Sequence, residues 1–228
     1  MLPVKGGPTA KSRLGGAPAP RGRLALAMAL DCLEVVLAAP SVAGALVVTG
    51  DGAAAAAAAA AGAQVVVPSP VASGSPLDAA VRDGARASAA SSRARHRGPQ
   101  RTGRALRTGV AVLLADVPAL RVQELEDALA AAATELAAGA SSVVVPDAAG
   151  RGTALLAAAA PDDLPVAYGE GSAERHVAAG AVRLELDLPG LRRDVDTPAD
   201  LRAALALGVG PRTRAALEDA GAERAAAG

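Results

Sequence analysis

The chain has 228 residues, with 23 Lys+Arg against 23 Asp+Glu. That length suits one domain with a sizeable core, and the balanced charge argues for neither a nucleic-acid partner nor an anionic membrane surface. Hydrophobic residues make up 51% of the chain, yet Phe and Trp are absent and Tyr168 is the only aromatic, so the core has to be built from Ala, Val and Leu.

The chain opens with a short apolar run, Leu2–Lys5, read as a strand. Beginning at Met1, it is short for a central sheet position, where about 5–6 residues are usual. The expectation is either a start upstream of Met1 or a weakened protein. The stretch LPVKGGPTAKSRL then brings paired glycines, Lys5, Lys11, Ser12 and Arg13. A Walker loop would read G-x-x-x-x-G-K-[ST]. With Lys11-Ser12 in register, Lys5 and Ala10 stand where the two glycines belong, so this is a different kind of loop. Its glycines let backbone N–H groups approach an anion, and its cations suit a triphosphate. The alternative is an exposed basic turn.

A helix follows at Arg23–Ala38 and contains the lone Cys32, read as a buried packing residue. A single cysteine excludes an internal disulfide and fits a reducing, cytoplasmic location without a cleaved leader. The next strand, Ala45–Thr49, ends before Asp51, and a helix over Gly52–Ala61 reads as a weakly specified alanine surface helix. The uncharged stretch from Gly52 to Leu77 is broken by Gln64, Pro68 and Pro70. It does not read as a membrane span, which needs about 20 strongly apolar residues. Gln64–Val67 is a third strand and Pro76–Ala90 a third helix.

Residues 91–108 carry Arg93, Arg95, Arg97, Arg101, Arg104 and Arg107 with Gly and Pro but without an apolar period. A nucleic-acid patch would want aromatic side chains for base stacking, so the segment is read as a solvated, flexible insertion in a single domain spanning residues 1–228. Strands at Val110–Ala115, Ser142–Val145 and Val182–Leu186 alternate with helices at Val122–Ala138, Ser172–Ala179 and Pro198–Leu207, and a last helix runs from Pro211 to about Ala226.

Strand-then-helix alternation predicts an α/β fold, a three-layer sandwich around a mostly parallel mixed sheet. The runs VAVLLAD and SSVVVPD are apolar almost throughout, as strands covered on both faces should be. In such sheets ligands bind at the carboxyl ends of the strands. The polar signals Lys5 to Arg13, Asp51 and Asp116 all fall there.

Asp116 closes an apolar strand and is placed to hold Mg²⁺, because hard carboxylate oxygens suit that ion. Capping the following helix is the other reading. In LRRDVDTPADL, Asp194 and Asp196 are two apart and face the same way in an extended segment. Thr197, Pro198 and Asp200 resemble a helix start, so Asp196 is expected to be partly taken up by that start, with Asp194 the freer metal ligand. The segments GRGT and YGEGS offer Thr153, Gly169 and Ser172 as hydroxyls and open backbone, with Ser172 at a helix start that favours an anion. His176, one turn further on, is read as a packing or surface residue rather than a catalytic one.

Taken in order, LPVKxxxxAKSRL, VVTxD, xPLxAAVxxG, VLLADVPAL, VVPDxxGxGT, YGxGSxxRH and DVDTPADL resemble the guanylyltransferases of deazaflavin coenzyme F-420 biosynthesis. That family looks like the wider GT-A-type nucleotidyltransferases, among them the molybdenum-cofactor guanylyltransferases. The likeness runs from Leu2 to about Leu207. It implies transfer of GMP from GTP to phosphoenolpyruvate, or to 2-phospho-L-lactate, with release of pyrophosphate and passage of the product to a deazaflavin transferase. It further implies that Lys5, Lys11, Ser12 and Arg13 meet the GTP phosphates and that Asp51 lies in the nucleotide site. Asp116 with Asp194 or Asp196 would hold Mg²⁺, and Thr153, Gly169 and Ser172 would bind the phospho-acid. Where the family carries Gly-Leu-Asn near the guanine, this chain has Ser75-Pro76-Leu77-Asp78, and Asp78 could accept from the guanine N1 and N2 hydrogens.

Overall fold

The computed structural model describes residues 1–6, 11–15, 18–71, 73–96 and 109–226. Seven short strands and eight helices alternate among these residues: β1 (Leu2–Pro3), α1 (Pro18–Ala38), β2 (Leu46–Val48), α2 (Gly52–Ala60), β3 (Gln64–Val66), α3 (Pro76–His96), β4 (Val110–Leu113), α4 (Val122–Ala137), β5 (Ser142–Pro146), β6 (Thr153–Ala158), α5 (Ser172–Ala178), β7 (Val182–Arg183), α6 (Pro189–Arg192), α7 (Pro198–Leu207) and α8 (Pro211–Ala226).

The first three strands form a parallel set in the order β1-β2-β3, and the others form a set in the order β4-β6-β5-β7. The two sets meet at Met1, whose N–H donates to Ala111 O and whose carbonyl accepts from Leu113 N–H. Spatially the strands therefore read β3-β2-β1-β4-β6-β5-β7. Strand β1 is only two residues long, yet it is central and pairs with β2 in register Leu2 with Val47 and Pro3 with Val48. All neighbours are parallel except β6, which runs antiparallel to both β4 and β5. The expected mostly parallel mixed sheet is present.

Strand β6 departs from the sequence reading, which left Thr153–Ala158 without a strand. After Thr153 its residues, ALLAA, are good helix formers, and only their place between β4 and β5 makes them a strand. All six are buried, and burial on both faces of a sheet overrides local preference. Two shorter differences are the extra helix α6 and the start of α1 five residues ahead of Arg23. The first part of the arginine-rich segment, up to His96, continues α3 as helix; the rest, 97–108, lies outside the described residues.

The core is aliphatic, as the composition requires. Leu33, Val36, Leu113, Val117, Val143, Val145, Leu155 and Leu191 pack with many alanines between sheet and helices. Each fully buried Leu or Val contributes roughly 1.5–3 kcal/mol, and the alanines between them let α1 and α4 approach the sheet closely. Cys32 sits in this core at 1% exposure, its thiol donating to Val117 O and its pKa pushed well above the usual range by burial.

A polar device holds the outer layer. Asp31 of α1 is 4% exposed, and its carboxylate accepts from Arg212 N–H at 3.1 Å and Thr213 N–H at 2.8 Å. It thereby caps α8, satisfying donors that a helix start leaves open. Gly210 is required beside it, because a Cβ there would lie 2.4 Å from the Asp31 carboxyl carbon. Asp31→Ala should lower the unfolding free energy by about 3–6 kcal/mol, two lost hydrogen bonds to a charged group at roughly 1.5–3 kcal/mol each. Denaturant unfolding measures it, and a loss below about 0.5 kcal/mol would mean that water caps α8 equally well.

Candidate functional site

Because β6 runs backwards, its first residue, Thr153, lies at the same edge as the carboxyl ends of β4 and β5. That edge gathers Lys5 and Gly6 after β1, Asp51 after β2, Asp116 after β4, Asp147 after β5 and Thr153 before the rest of β6. The extended DVD segment joins it through Val195 N–H, which donates to Asp116 O. Val195 is fully buried beside Leu24 and Met28, so the alternation of an extended chain turns Asp194 and Asp196 to the other side.

Lys11 binds the acidic residues together. Its ammonium is 2.5 Å from Asp116 Oδ2 and 2.9 Å from Asp196 Oδ1, while Arg13, largely exposed, lies 3.7 Å from Asp196 Oδ2. Lys11 has φ 51°, the one positive φ outside glycine among the described residues. That left-handed geometry costs roughly 1–2 kcal/mol, and the two ion pairs hold the residue in it. Burial alone would depress the Lys11 pKa, but Asp116 and then Asp196 outweigh it, and the net shift is upward. Ser12 and Arg13 follow in an exposed 3-10 turn. The loop glycine Gly7 and its neighbours up to Ala10 lie outside the described residues.

One alternative reading falls here and one expectation changes. Asp116 does not cap the next helix, since the N-cap of α4 is Arg121 and no side chain bonds there. Asp196 is not taken up by the start of α7 either. That helix is capped by Thr197 and Asp200 in a full capping box, and the Asp196 carboxylate goes to Lys11. Asp194 is the residue under electrostatic stress. Burial, and then the charges of Asp116, Asp147 and Asp196, push its pKa up to about 7 against the pull of Lys11.

Among the described residues no three carboxylates or other ligating side chains are drawn into a ready-made metal cluster. The residues nevertheless suit a divalent cation. Asp116 Oδ1 is buried without a hydrogen-bond partner, the donors are hard oxygens as Mg²⁺ prefers, and the ammonium of Lys11 already sits as a cation between two of them.

The hydroxyl cluster lies deeper. Thr153 Oγ1 is 2.9 Å from Ser172 Oγ and 3.0 Å from His176 Nδ1, and all three side chains are buried. Ser172 begins α5 as expected, after Gly171 at φ 68°, and Gly169 at φ 118° shapes the turn before it. Asp78 lies in the first turn of α3 and accepts from Tyr168 N–H at 2.8 Å through Oδ1. It is thus tethered to the Gly169 loop through that oxygen.

Asp147 is a site residue the sequence reading passed over, although SSVVVPD carries the same signal as VAVLLAD: an apolar strand ending in aspartate. It accepts from Arg151 N–H and Gly152 N–H, and so folds the GRGT loop back onto the strand. A cleft of about 430 Å³ lies at the other end of the edge, lined by Lys5, Gly6, Arg23 and Asp51 among others. Asp51 caps α2 through Ala54 N–H, and a Cβ on Gly6 would overlap its side chain.

Burial, and then the charge of Arg175, lower the His176 pKa to about 4, with Asp78 opposing. An unfolded histidine titrates near pH 6.5. Between about pH 6.5 and 4 the unfolded chain therefore binds a proton that the folded one does not, and stability is lost as pH falls through that window. Wild-type protein should lose about 2 kcal/mol more than His176→Gln between pH 7 and pH 4.5. Denaturant titrations at the two pH values check this, and equal losses would mean the folded ring takes up the proton.

No protein-family model matches the chain. In overall architecture it is similar to CMP:2-keto-3-deoxy-manno-octonic acid synthetase in complex with CTP, with a TM-score of 0.51 at 17% identity over 90% of this chain and 95% of the other. That likeness shows the GT-A-like nucleotidyltransferase fold. Among no-longer-distant relatives, the phosphoenolpyruvate guanylyltransferase of Geodermatophilus obscurus is 47% identical over 95% of this chain and 92% of its own length. Those of Salinispora arenicola and Streptomyces coelicolor are 45% and 46% identical, over 93% and 94% of this chain and 90% and 93% of their own lengths. With identity of that order over nearly its whole length, the chain belongs to the phosphoenolpyruvate guanylyltransferase family.

Proposed function

We propose that the chain catalyses the reaction for which its relatives are named. A phosphate oxygen of phosphoenolpyruvate attacks the α-phosphorus of GTP, the bond to the bridging oxygen of the β-phosphate breaks, and pyrophosphate leaves. The observation that carries the reading is the pairing, along one sheet edge, of a cation-and-carboxylate cluster at Lys11, Asp116 and Asp196 with a hydroxyl-and-glycine cluster at Thr153, Gly169 and Ser172. Asp147 joins the two: its charge acts on Asp194, and it organises the loop that leads into Thr153.

Lys5, Lys11, Ser12 and Arg13 take the GTP phosphates in this reading, and the cleft beside Asp51 takes the nucleoside. Asp78, tethered through Oδ1 and with Oδ2 3.8 Å from Arg82, offers its remaining lone pairs to guanine. Mg²⁺ held by Asp116, Asp194 and Asp196 would neutralise phosphate charge at the reacting centre. Lys11, already next to those carboxylates, would turn its ammonium to the phosphates when nucleotide arrives. Thr153, Gly169 and Ser172 hold the phospho-acid for in-line attack. No side chain has to act as nucleophile, because positioning and charge neutralisation account for most of the catalysis of such transfers. The product joins GMP to the acid through a diphosphate, which suits its onward transfer to a deazaflavin acceptor. Among the described residues no helix is long and apolar enough to cross a membrane.

Pyrophosphate release from GTP and Mg²⁺ should be supported by phosphoenolpyruvate and more weakly by 2-phospho-L-lactate; release with neither acid would overturn the reading. Asp116→Asn should remain folded and turn over at least about 100-fold more slowly, the usual size for losing an electrostatic contributor at a transition state. Near-normal turnover in that variant would remove Asp116 from the site.

A further inference from the structure

His176 contacts Thr153 of the proposed acid site and the loop that leads into Gly169. It lies wholly buried in α5, and both ring nitrogens are engaged: Nε2 accepts from Ala167 N–H at 3.2 Å, and Nδ1 faces Thr153 Oγ1 at 3.0 Å. A backbone N–H can only donate, so Nε2 carries the lone pair. The neutral ring therefore holds its proton on Nδ1 and donates it to Thr153.

Counting protons then gives a definite result. Nδ1, Thr153 and Ser172 bring one proton each, and the two contacts among them use two. One hydroxyl proton of the Thr153–Ser172 pair is left over, on groups that are 3% and 2% exposed. The opposite tautomer would have Thr153 donate to Nδ1 and Ser172 donate to Thr153, with no proton to spare. A buried donor without an acceptor is costly, and an anionic oxygen is the acceptor that relieves it best.

The same ring also holds the loop before Gly169. Ala167 N–H is on His176, the next N–H, that of Tyr168, is on Asp78, and Arg175 Nε donates back to Ala167 O at 3.2 Å. The Tyr168 ring packs edge-on against the imidazole, with centroids 5.1 Å apart.

We infer that His176 is a positioning residue for the phospho-acid: its tautomer leaves one hydroxyl proton of the Thr153–Ser172 pair for an anionic oxygen of that substrate, and its Nε2 sets the loop that carries Gly169. The inference rests on the proposed function. It assigns His176 a role through its neighbours, not contact with the reacting atoms.

Steady-state kinetics of His176→Phe and His176→Gln test it. Phe fills the space without a donor or acceptor, whereas the Gln amide can accept from Ala167 and donate to Thr153. The Phe variant should raise KM for phosphoenolpyruvate about tenfold, the order expected for a misplaced hydrogen bond to a charged group, with KM for GTP within about twofold. The Gln variant should return to within about threefold of wild type. Nitrogen-15 NMR of the wild-type protein provides a check that needs no variant to fold, and with only two histidines in the chain its assignment is simple. A proton on Nδ1 of His176 supports the inference. A proton on Nε2, an unchanged KM for the acid in folded His176→Phe, or a parallel rise for both substrates overturns it while leaving the guanylyltransferase reading intact. A wild-type protein inactive with phosphoenolpyruvate and GTP would overturn both.

Discussion

Strand β6 lies antiparallel between two strands that run the other way, and the arrangement of the site follows from that reversal. A parallel strand in its place would deliver its last residue, Ala158, to the ligand edge. Running backwards, it delivers Thr153 instead, beside Asp147 at the end of β5. The turn between them is tight, and its Arg151 and Gly152 N–H groups are taken by the Asp147 carboxylate, so the aspartate and the threonine arrive together. The α5 hydroxyl of Ser172 and the His176 ring then have a fixed partner in Thr153.

Charge organises the other half of the edge. Asp116 and the DVD segment come from parts of the chain almost eighty residues apart, and a backbone hydrogen bond from Val195 holds them side by side. Three like charges so placed repel, and burial, and then that repulsion, raise the pKa of Asp194. Lys11 offsets part of it from a strained left-handed conformation, which ties the opening basic loop to the acidic edge. A nucleotide triphosphate and a divalent cation are complementary to this arrangement because they supply positive charge to the carboxylates and negative charge to the lysine at once.

An aromatic-poor core shapes the rest. With Ala, Val and Leu as filling, helices can lie close to the sheet, and the single tyrosine stands edge-on to the His176 imidazole. The capping of α8 by a buried aspartate on α1 shows the same economy, since a polar contact fixes an interface that alanine packing alone would specify poorly.

The order of apolar strands and alanine-rich helices was legible in the sequence, because the two periodicities differ and each strand in the chain's first half is followed by a helix. So was Asp116, since a charged residue that closes an apolar run stands out at a strand end, while Lys11 stood out in the basic glycine loop and the DVD pair by its spacing of two. The capping box at Thr197 and Asp200 was equally readable, being a local matter of four residues. Which carboxylate faces Lys11, the strand state of TALLAA and the burial of Thr153, Ser172 and His176 were decided only by the tertiary structure. Each depends on what a distant segment brings to the same place: β4 and β5 turn helix-forming residues into a strand, and an N–H from the loop before Gly169 selects the protonated nitrogen of His176. Local sequence determines periodicity and caps because those are set by neighbours along the chain. Hydrogen-bond direction and ion pairing are set by neighbours in space.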